Sequence, residues 1–218
     1  MFTGIIEEVG KVAKIEQHGQ NRRITVEAAR TPIELRTGQS VAVSGVCLTA
    51  VDIKRKSFSA DLAPETWQRT SFSRMHQGAL VNLELSMKAD GRFGGHFVQG
   101  HVDGIGKLLD LERIADSGNW WLHIEIQPEI EKYTVFKGSI CIEGISLTVA
   151  HLEGDRCTIA VIPHTVETTN LRSLKPGDSV NLEADMIAKL VEQYVEKMMR
   201  AAPATSALTV EELVRQGF

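Results

Sequence analysis

Polar and apolar residues alternate along short stretches of this chain with a period of two, the pattern of strands that bury one face and wet the other. Residues 24–27 (ITVE), 40–44 (SVAVS), 58–62 (FSADL) and 80–85 (LVNLEL) alternate in this way, as do 121–126 (WLHIEI) and the stretches after them. Turn residues separate them: Thr37 with Gly38, Gly154 with Asp155, and the run from Lys175 through Pro176 and Gly177 to Asp178. About six short strands in each half of the chain, with no helical period between them, predict an antiparallel barrel or sandwich in each half. After Asp185 the period changes. Ile187, Val191, Tyr194 and Met198 form a heptad-like stripe on a helix expected over 186–200. So short a helix must dock its stripe, either on its own barrel or between subunits. Residues 201–207, with Pro203, read as a linker, and Thr209 through Glu212 can cap a last short helix or fray.

The alternating pattern occurs twice. Residues 40–49 (SVAVSGVCLT) match 139–148 (SICIEGISLT) at an offset of 99, and the same offset holds without a gap for 58–84 against 157–183. That block pairs Pro64 with Pro163, Thr66 with Thr165, Thr70 with Thr169, Gly78 with Gly177, and VNLE at 81–84 with VNLE at 180–183. Upstream, residues 4–11 match 100–107 at an offset of 96. The chain reads as a tandem duplication: a first unit over 1–95, a second over 96–185, the helix, and a tail over 201–218.

Composition narrows the classes of function. Twenty-four basic residues against 28 acidic ones leave a net charge of -4, without the basic footprint of nucleic-acid binding. The hydrophobic content of 43% is ordinary, and no apolar run approaches the ~20 residues of a membrane span. The start MFTGIIEE lacks the basic region of a secretory signal. Three cysteines, Cys47, Cys141 and Cys157, without a CxxC pair suit a reducing cytoplasm.

The positions that break the repeat are the informative ones. Cys47 stands where Ser146 stands in the second copy, Ile5 where His101 stands, and Glu65 where His164 stands. Two sites of shared shape therefore differ in nucleophilicity and proton affinity. His96 and His101 lack a third ligand nearby, so no metal is expected. Five residues apart on an ideal strand they would face opposite sides, and would act together only if Gly100 allows a bend. Unaided, Cys47 reads as a buried inert thiol, Ser146 as a turn serine, Lys137 as a solvated amine and Asp185 as the helix N-cap.

The segments MFTGIIEEVG, GGHFVQGHVDG at 94–104, KGSICIEGISLTV at 137–149, IPHT at 162–165 and VNLEAD at 180–185 together resemble the riboflavin synthase family. The resemblance covers residues 1 to about 200 and falls in both repeats. It implies an all-β fold of two tandem six-stranded Greek-key barrels followed by a C-terminal α-helix, assembled as a homotrimer through those helices. It implies a transferase reaction without cofactor or metal, in which two molecules of 6,7-dimethyl-8-ribityllumazine exchange a four-carbon unit. The products are riboflavin and 5-amino-6-ribitylaminouracil. His101, Ser146, Asp185, Cys47, His96, Lys137 and Ser40 are then expected to be catalytic, with His101 the favoured proton carrier. Substrate would be lined by Phe2, Gly4, Ile5 and Ile6; by Cys47, Leu48 and Thr49; by Asp61, Leu62, Ala63, Pro64, Glu65 and Thr66; and by Gly100, His101 and Val102. In the second copy Lys137, Ser146, Leu147, Thr148, Val161, Ile162, Pro163, His164, Thr165 and Val166 would do the same, Thr66 and Thr165 meeting the ribityl hydroxyls. Because the linker around 88–95 is short, facing pockets are expected to come from neighbouring subunits: Cys47, Ser40 and Thr49 from one, Ser146, His101 and Asp185 from the other. Association with lumazine synthase stays open. A non-catalytic lumazine- or flavin-binding protein is the alternative, and would keep only one pocket. A flavin-reductase-like barrel is disfavoured, since Tyr133 and Tyr194 follow Glu131 and Glu192 two places back rather than the arginine of an Arg-x-Tyr motif.

Overall fold

The computed structural model describes residues 1–201 and 214–215. In the first half, β1 (Glu8–His18), β2 (Asn21–Glu27), β3 (Ser40–Val43), β4 (Val46–Lys54), β5 (Ser57–Leu62) and β6 (Leu80–Leu85) close a barrel in the order β1-β2-β5-β4-β3-β6. In the second, β7 (Gly104–Arg113), β8 (Trp120–Glu125), β9 (Ser139–Ile142), β10 (Ile145–Glu153), β11 (Arg156–Val161) and β12 (Ser179–Ala184) close another in the order β7-β8-β11-β10-β9-β12. The two orders are the same Greek key, antiparallel throughout. Short helices begin at prolines where strands end: α1 (Thr31–Glu34), α2 (Pro64–Arg69), α3 (Pro128–Glu131) and α4 (Pro163–Thr168). The alternation had not shown them, because none is long enough to display a helical period.

Alternation builds the two cores. β4 and β10 have the same sequence of buried and exposed positions, residue for residue, with Val46, Leu48 and Ala50 inward in one and Ile145, Leu147 and Val149 inward in the other. Each barrel closes on its own apolar cluster, with Phe58, Phe72 and Leu83 in the first and Leu108, Ile124 and Ile140 in the second. The register slips at Val12 to Lys14 and at the equivalent Leu108 to Asp110, bulges that turn the barrel corner.

β6 and β12 break the alternation in a useful way. Both faces are buried, because one points into the barrel and the other into the contact between barrels. Asn82, Glu84, Asn181 and Glu183 lie on that second face. The hairpins β3–β4 and β9–β10 turn on Ser44-Gly45 and Glu143-Gly144, all four at positive φ, a type I′ geometry. The turns meet tip to tip: a Cβ on Gly45 would lie 2.7 Å from the amide nitrogen of Gly144, and the converse distance is the same. Around them Ser71 N donates to Asn181 Oδ1 and Asn170 N donates to Asn82 Oδ1, both at 2.7 Å. The side-chain amides of Asn82 and Asn181 donate to the carbonyls of Glu143 and Ser44. The barrels thus dock through a paired polar network about a local two-fold axis.

Helix α5 (Met186–Ala201) follows β12 directly, and Asp185 caps it, its Oδ1 accepting from Ile187 N at 2.9 Å. Ile187, Val191, Tyr194 and Met198 are more than half exposed in the single chain, so the stripe is not packed on its own barrel. The expected helix near Thr209 lies outside the described residues. No described helix is long and apolar enough to cross a membrane.

Candidate functional site

The segments that precede the two barrels cross over. Phe2 and Val98 pair as an antiparallel bridge, N to O at 2.7 and 3.1 Å. Beyond it, the Gly4 carbonyl accepts from Ser146 N on the second barrel, and the Gly100 carbonyl accepts from Cys47 N on the first, each at 2.8 Å. Both glycines sit at positive φ, with no room for a side chain: a Cβ would come within 2.7 Å of Ser146 at Gly4 and within 2.6 Å of Cys47 at Gly100. Glu84 holds the first segment, accepting from Thr3 N, Thr3 Oγ1 and Gly4 N. Glu183 holds the second, accepting from Gln99 N and Gly100 N.

This crossing puts His101 in the pocket of the first barrel. A cavity of about 420 Å³ is lined by Cys47, Ala63, Glu65, Thr66, Thr70, Gly100, His101 and Val102. His101 therefore stands with Cys47 of its own chain, which corrects the expected grouping of His101 with Ser146. The reason is the bridge at Phe2 and Val98, which carries each leading segment onto the opposite barrel. His96 lies instead against Ser146 of the second barrel.

Around Ser146 the arrangement differs. His96 Nδ1 lies 2.7 Å from Ser146 Oγ, and His96 N donates to the Thr3 carbonyl. Gly95 packs so closely over the same place that a Cβ there would fall 2.8 Å from Ser146 Cβ. Burial pushes the His96 imidazole below its ordinary value, with the Asp185 charge pulling the other way. The ring is therefore neutral at neutral pH, suited to exchange a proton with the serine hydroxyl. Its Nε2 is buried and has no hydrogen-bond partner among the described residues.

The remaining expected residues divide by the strand period. Leu48, Leu62, Leu147, Val161 and Val166 turn their side chains into the cores, so at these positions the chain has only backbone to offer a ligand. Thr49 and Thr148 point outward beside Ser40 and Ser139 on the paired strands. Phe2 is fully buried with Ala42, Val98 and Cys141 at the barrel junction rather than against solvent. Asp61 is taken up by Arg23, at 2.6 and 2.8 Å. Lys137 is exposed, at positive φ, with its amine 5.0 Å from the centre of the Phe136 ring. Ile5, Ile162, Pro163 and His164 are exposed; Ile6 and Thr165 are half-buried, as their counterpart Thr66 is. Pro64 is exposed at the start of α2. Among the described residues no group of three or more metal-binding side chains is placed to hold an ion.

Sequence reasoning missed Glu84 and Glu183. The signal was the repeated VNLE, a charged residue kept at the same place in two copies of an otherwise apolar strand.

The lumazine-binding domain family matches the chain twice, over residues 3–86 and 99–185. Riboflavin synthase of Actinobacillus pleuropneumoniae is 41% identical over 218 residues, the whole of both chains. The chain belongs to the riboflavin synthase family. The Bacillus subtilis enzyme is 40% identical over 197 residues, covering 90% of this chain and 91% of its own. That of Mycobacterium tuberculosis is 41% identical over 207 residues, covering 93% and 100%. The fold is also that of LumP, solved in complex with 6,7-dimethyl-8-(1'-D-ribityl) lumazine, at a TM-score of 0.76 and 23% identity over 84% of this chain and 99% of LumP. LumP complexed with riboflavin gives a TM-score of 0.77 at 24% identity, with the same coverage.

Proposed function

We propose that this protein is a riboflavin synthase that dismutates two molecules of 6,7-dimethyl-8-ribityllumazine, a transferase reaction. One molecule gives a four-carbon unit to the other, leaving 5-amino-6-ribitylaminouracil and forming riboflavin. The exchange balances without an oxidant, because one lumazine loses what the other gains, so the reaction needs no redox cofactor. The observation that carries this reading is one fold built twice with unequal groups: Cys47 beside His101 in one copy, and in the other Ser146 in the place of Cys47, Ile5 in the place of His101, and His96 on the serine. Equal frames recognise the same ring system, and unequal groups let one copy act as donor and the other as acceptor.

His101, exposed at the first pocket, carries protons to and from bound lumazine. His96, neutral, takes the Ser146 hydroxyl proton where the exchanging carbons pass, and Asp185 steadies the imidazolium that forms. Holding two rings in contact contributes roughly 7–11 kcal/mol of the barrier reduction. The exposed stripe on α5 joins three subunits, so that a first pocket with Cys47 and His101 faces the Ser146 pocket of a neighbour. The protein works in the cytoplasm, and association with lumazine synthase is a further expectation of the family.

Incubation with the lumazine alone, followed by riboflavin absorbance, tests the reaction; no riboflavin would overturn it. Mixing an inactive Cys47→Trp chain with an inactive Ser146→Ala chain tests the shared site. Activity above the sum of the two in confirmed hetero-trimers is expected, and its absence would place both pockets of one site within a single chain.

A further inference from the structure

We propose that Lys189 of α5 is a positioning residue for His101: it is the counter-charge of two carboxylates, Glu183 and Asp103, that clamp the His101 segment. This rests on the riboflavin synthase reading and deepens it, because it ties the helix that would join subunits to the pocket where His101 works.

The geometry is a short chain of contacts. Glu183 grips residues 99–100 through two amides, at 2.7 and 2.9 Å, and the Gly100 carbonyl in turn accepts from Cys47 N. On the far side of His101, Asp103 accepts from Ala184 N at 2.8 Å and donates its own amide to the Leu182 carbonyl. His101 is thus held at both flanks by the last residues of β12. Lys189 Nζ lies 2.7 Å from Asp103 Oδ1, with both side chains about three-quarters buried.

The first half shows what Lys189 replaces. Glu84 takes three donors, the third being the hydroxyl of Thr3, but Gln99 stands in the place of Thr3 and Glu183 takes only two. β6 leads into a linker whose Lys88 acts on Glu7, the counterpart of Asp103, through its charge without a close ion pair, whereas β12 leads into α5, whose Lys189 pairs directly with Asp103. A lysine in the first turn of a helix opposes the helix dipole, so its place there answers to another partner.

The groups facing Glu183 are Lys189 from α5, Asp103 from the segment before β7 and Cys141 from β9. Burial raises the Glu183 carboxyl above its ordinary value and Asp103 raises it further, while Lys189 and the two amides lower it. Without Lys189 the two carboxylates would repel, Glu183 would take up a proton at higher pH, and its grip on Gln99 and Gly100 would weaken.

Lys189→Met in the full-length protein should lower kcat for riboflavin formation about tenfold with little change in KM, because a loosened His101 is misplaced for proton transfer rather than lost to binding. The acid limb of its pH–rate profile should move to higher pH. Lys189→Arg should keep the wild-type profile, and Asp103→Asn alone should move the acid limb to lower pH, since it removes the like charge and leaves Lys189 in place. Adding Asp103→Asn to Lys189→Met should return the limb toward wild type. A wild-type kcat and pH profile in Lys189→Met overturns the proposal. So does a loss of activity that higher protein concentration restores with a matching change in sedimentation, which would make Lys189 an assembly residue only. If Lys189→Met does not fold, the direction of the Asp103→Asn shift decides, and an unmoved limb overturns it. A wild-type protein that makes no riboflavin would instead remove the functional reading itself.

Discussion

Beyond the buried Glu84 and Glu183 that they share, the first barrel fixes its loops with charge near the surface, and the second adds a charge buried at the axis. In the first, Glu8 accepts the amides of Ala29, Arg30 and Thr31 and so hooks α1 to β1. Arg23 bridges Asp61 and Asp52 on the outer wall. The second copy has Gly104 where Glu8 stands and Glu143 where Ser44 stands. Glu143 is 3% exposed, accepting from Asn181 N at 2.7 Å and Asn170 Nδ2 at 2.8 Å. The common frame comes from backbone geometry, from the I′ turns, bulges, helix-starting prolines and inward apolar positions. Side chains outside that frame were free to differ, and the differences fall at the loops and at the pocket rims.

The largest test of the common frame is at the two crossing glycines. Gly4→Ala and Gly100→Ala each put a Cβ into the opposite barrel at a positive φ. Each should cost about 2–5 kcal/mol in urea unfolding. Equal losses would show two equivalent docks, and a clearly smaller loss at one would show that its segment can shift.

The polar axis comes next. Glu143→Gln keeps an acceptor for Asn181 N but turns a donor toward Asn170 Nδ2, at a cost of about 1–3 kcal/mol, whereas Ser44→Ala should cost about 1 kcal/mol or less. Equal costs would mean that the second copy's buried carboxylate is no more important than the serine it replaced.

Acid should separate the barrels further. Burial pushes the Glu8 carboxyl up, but hydrogen bonds from Thr31, Ala29 and Arg30 outweigh it and hold it below its ordinary value. Its contribution is full above the unfolded value and is lost as pH falls through the lowered native one. Burial raises Glu143, hydrogen bonds only partly offsetting it, so its contribution is full below the ordinary value of 4.5 and is lost as pH rises through the native one. Trp67 reports on the first barrel and Trp120 and Trp121 on the second. In single-barrel tryptophan variants, acid should change the Trp67 signal first, and Glu8→Gln should flatten that change. Simultaneous transitions would argue that the axis couples the barrels into one cooperative unit.

The smallest effect belongs to the exposed pair Glu65 and Arg69, four residues apart on α2, which the second copy replaces with His164 and Thr168. Arg69→Ala should cost no more than about 0.5 kcal/mol in urea unfolding.

Much of this protein was written in its sequence by itself. Alternation gave the strands, since a strand half-buried in a barrel must alternate. The offset of 99 gave the duplication, and the break after Asp185 gave both the helix and its cap. The difference between Cys47 and Ser146 was legible as well, because they stand at equal places in equal frames. The pairing of His101 with Cys47, and of His96 with Ser146, was decided only in three dimensions. Position along the chain assigns His101 to the second copy, but the Phe2 and Val98 bridge carries its segment to the first barrel. Burial of Asn82, Glu84, Asn181 and Glu183 was likewise hidden, because a period of two can mark only one partner face, and these strands have two. A local pattern reports what a residue's own strand requires; which other strand covers its outer face is a property of the packed molecule.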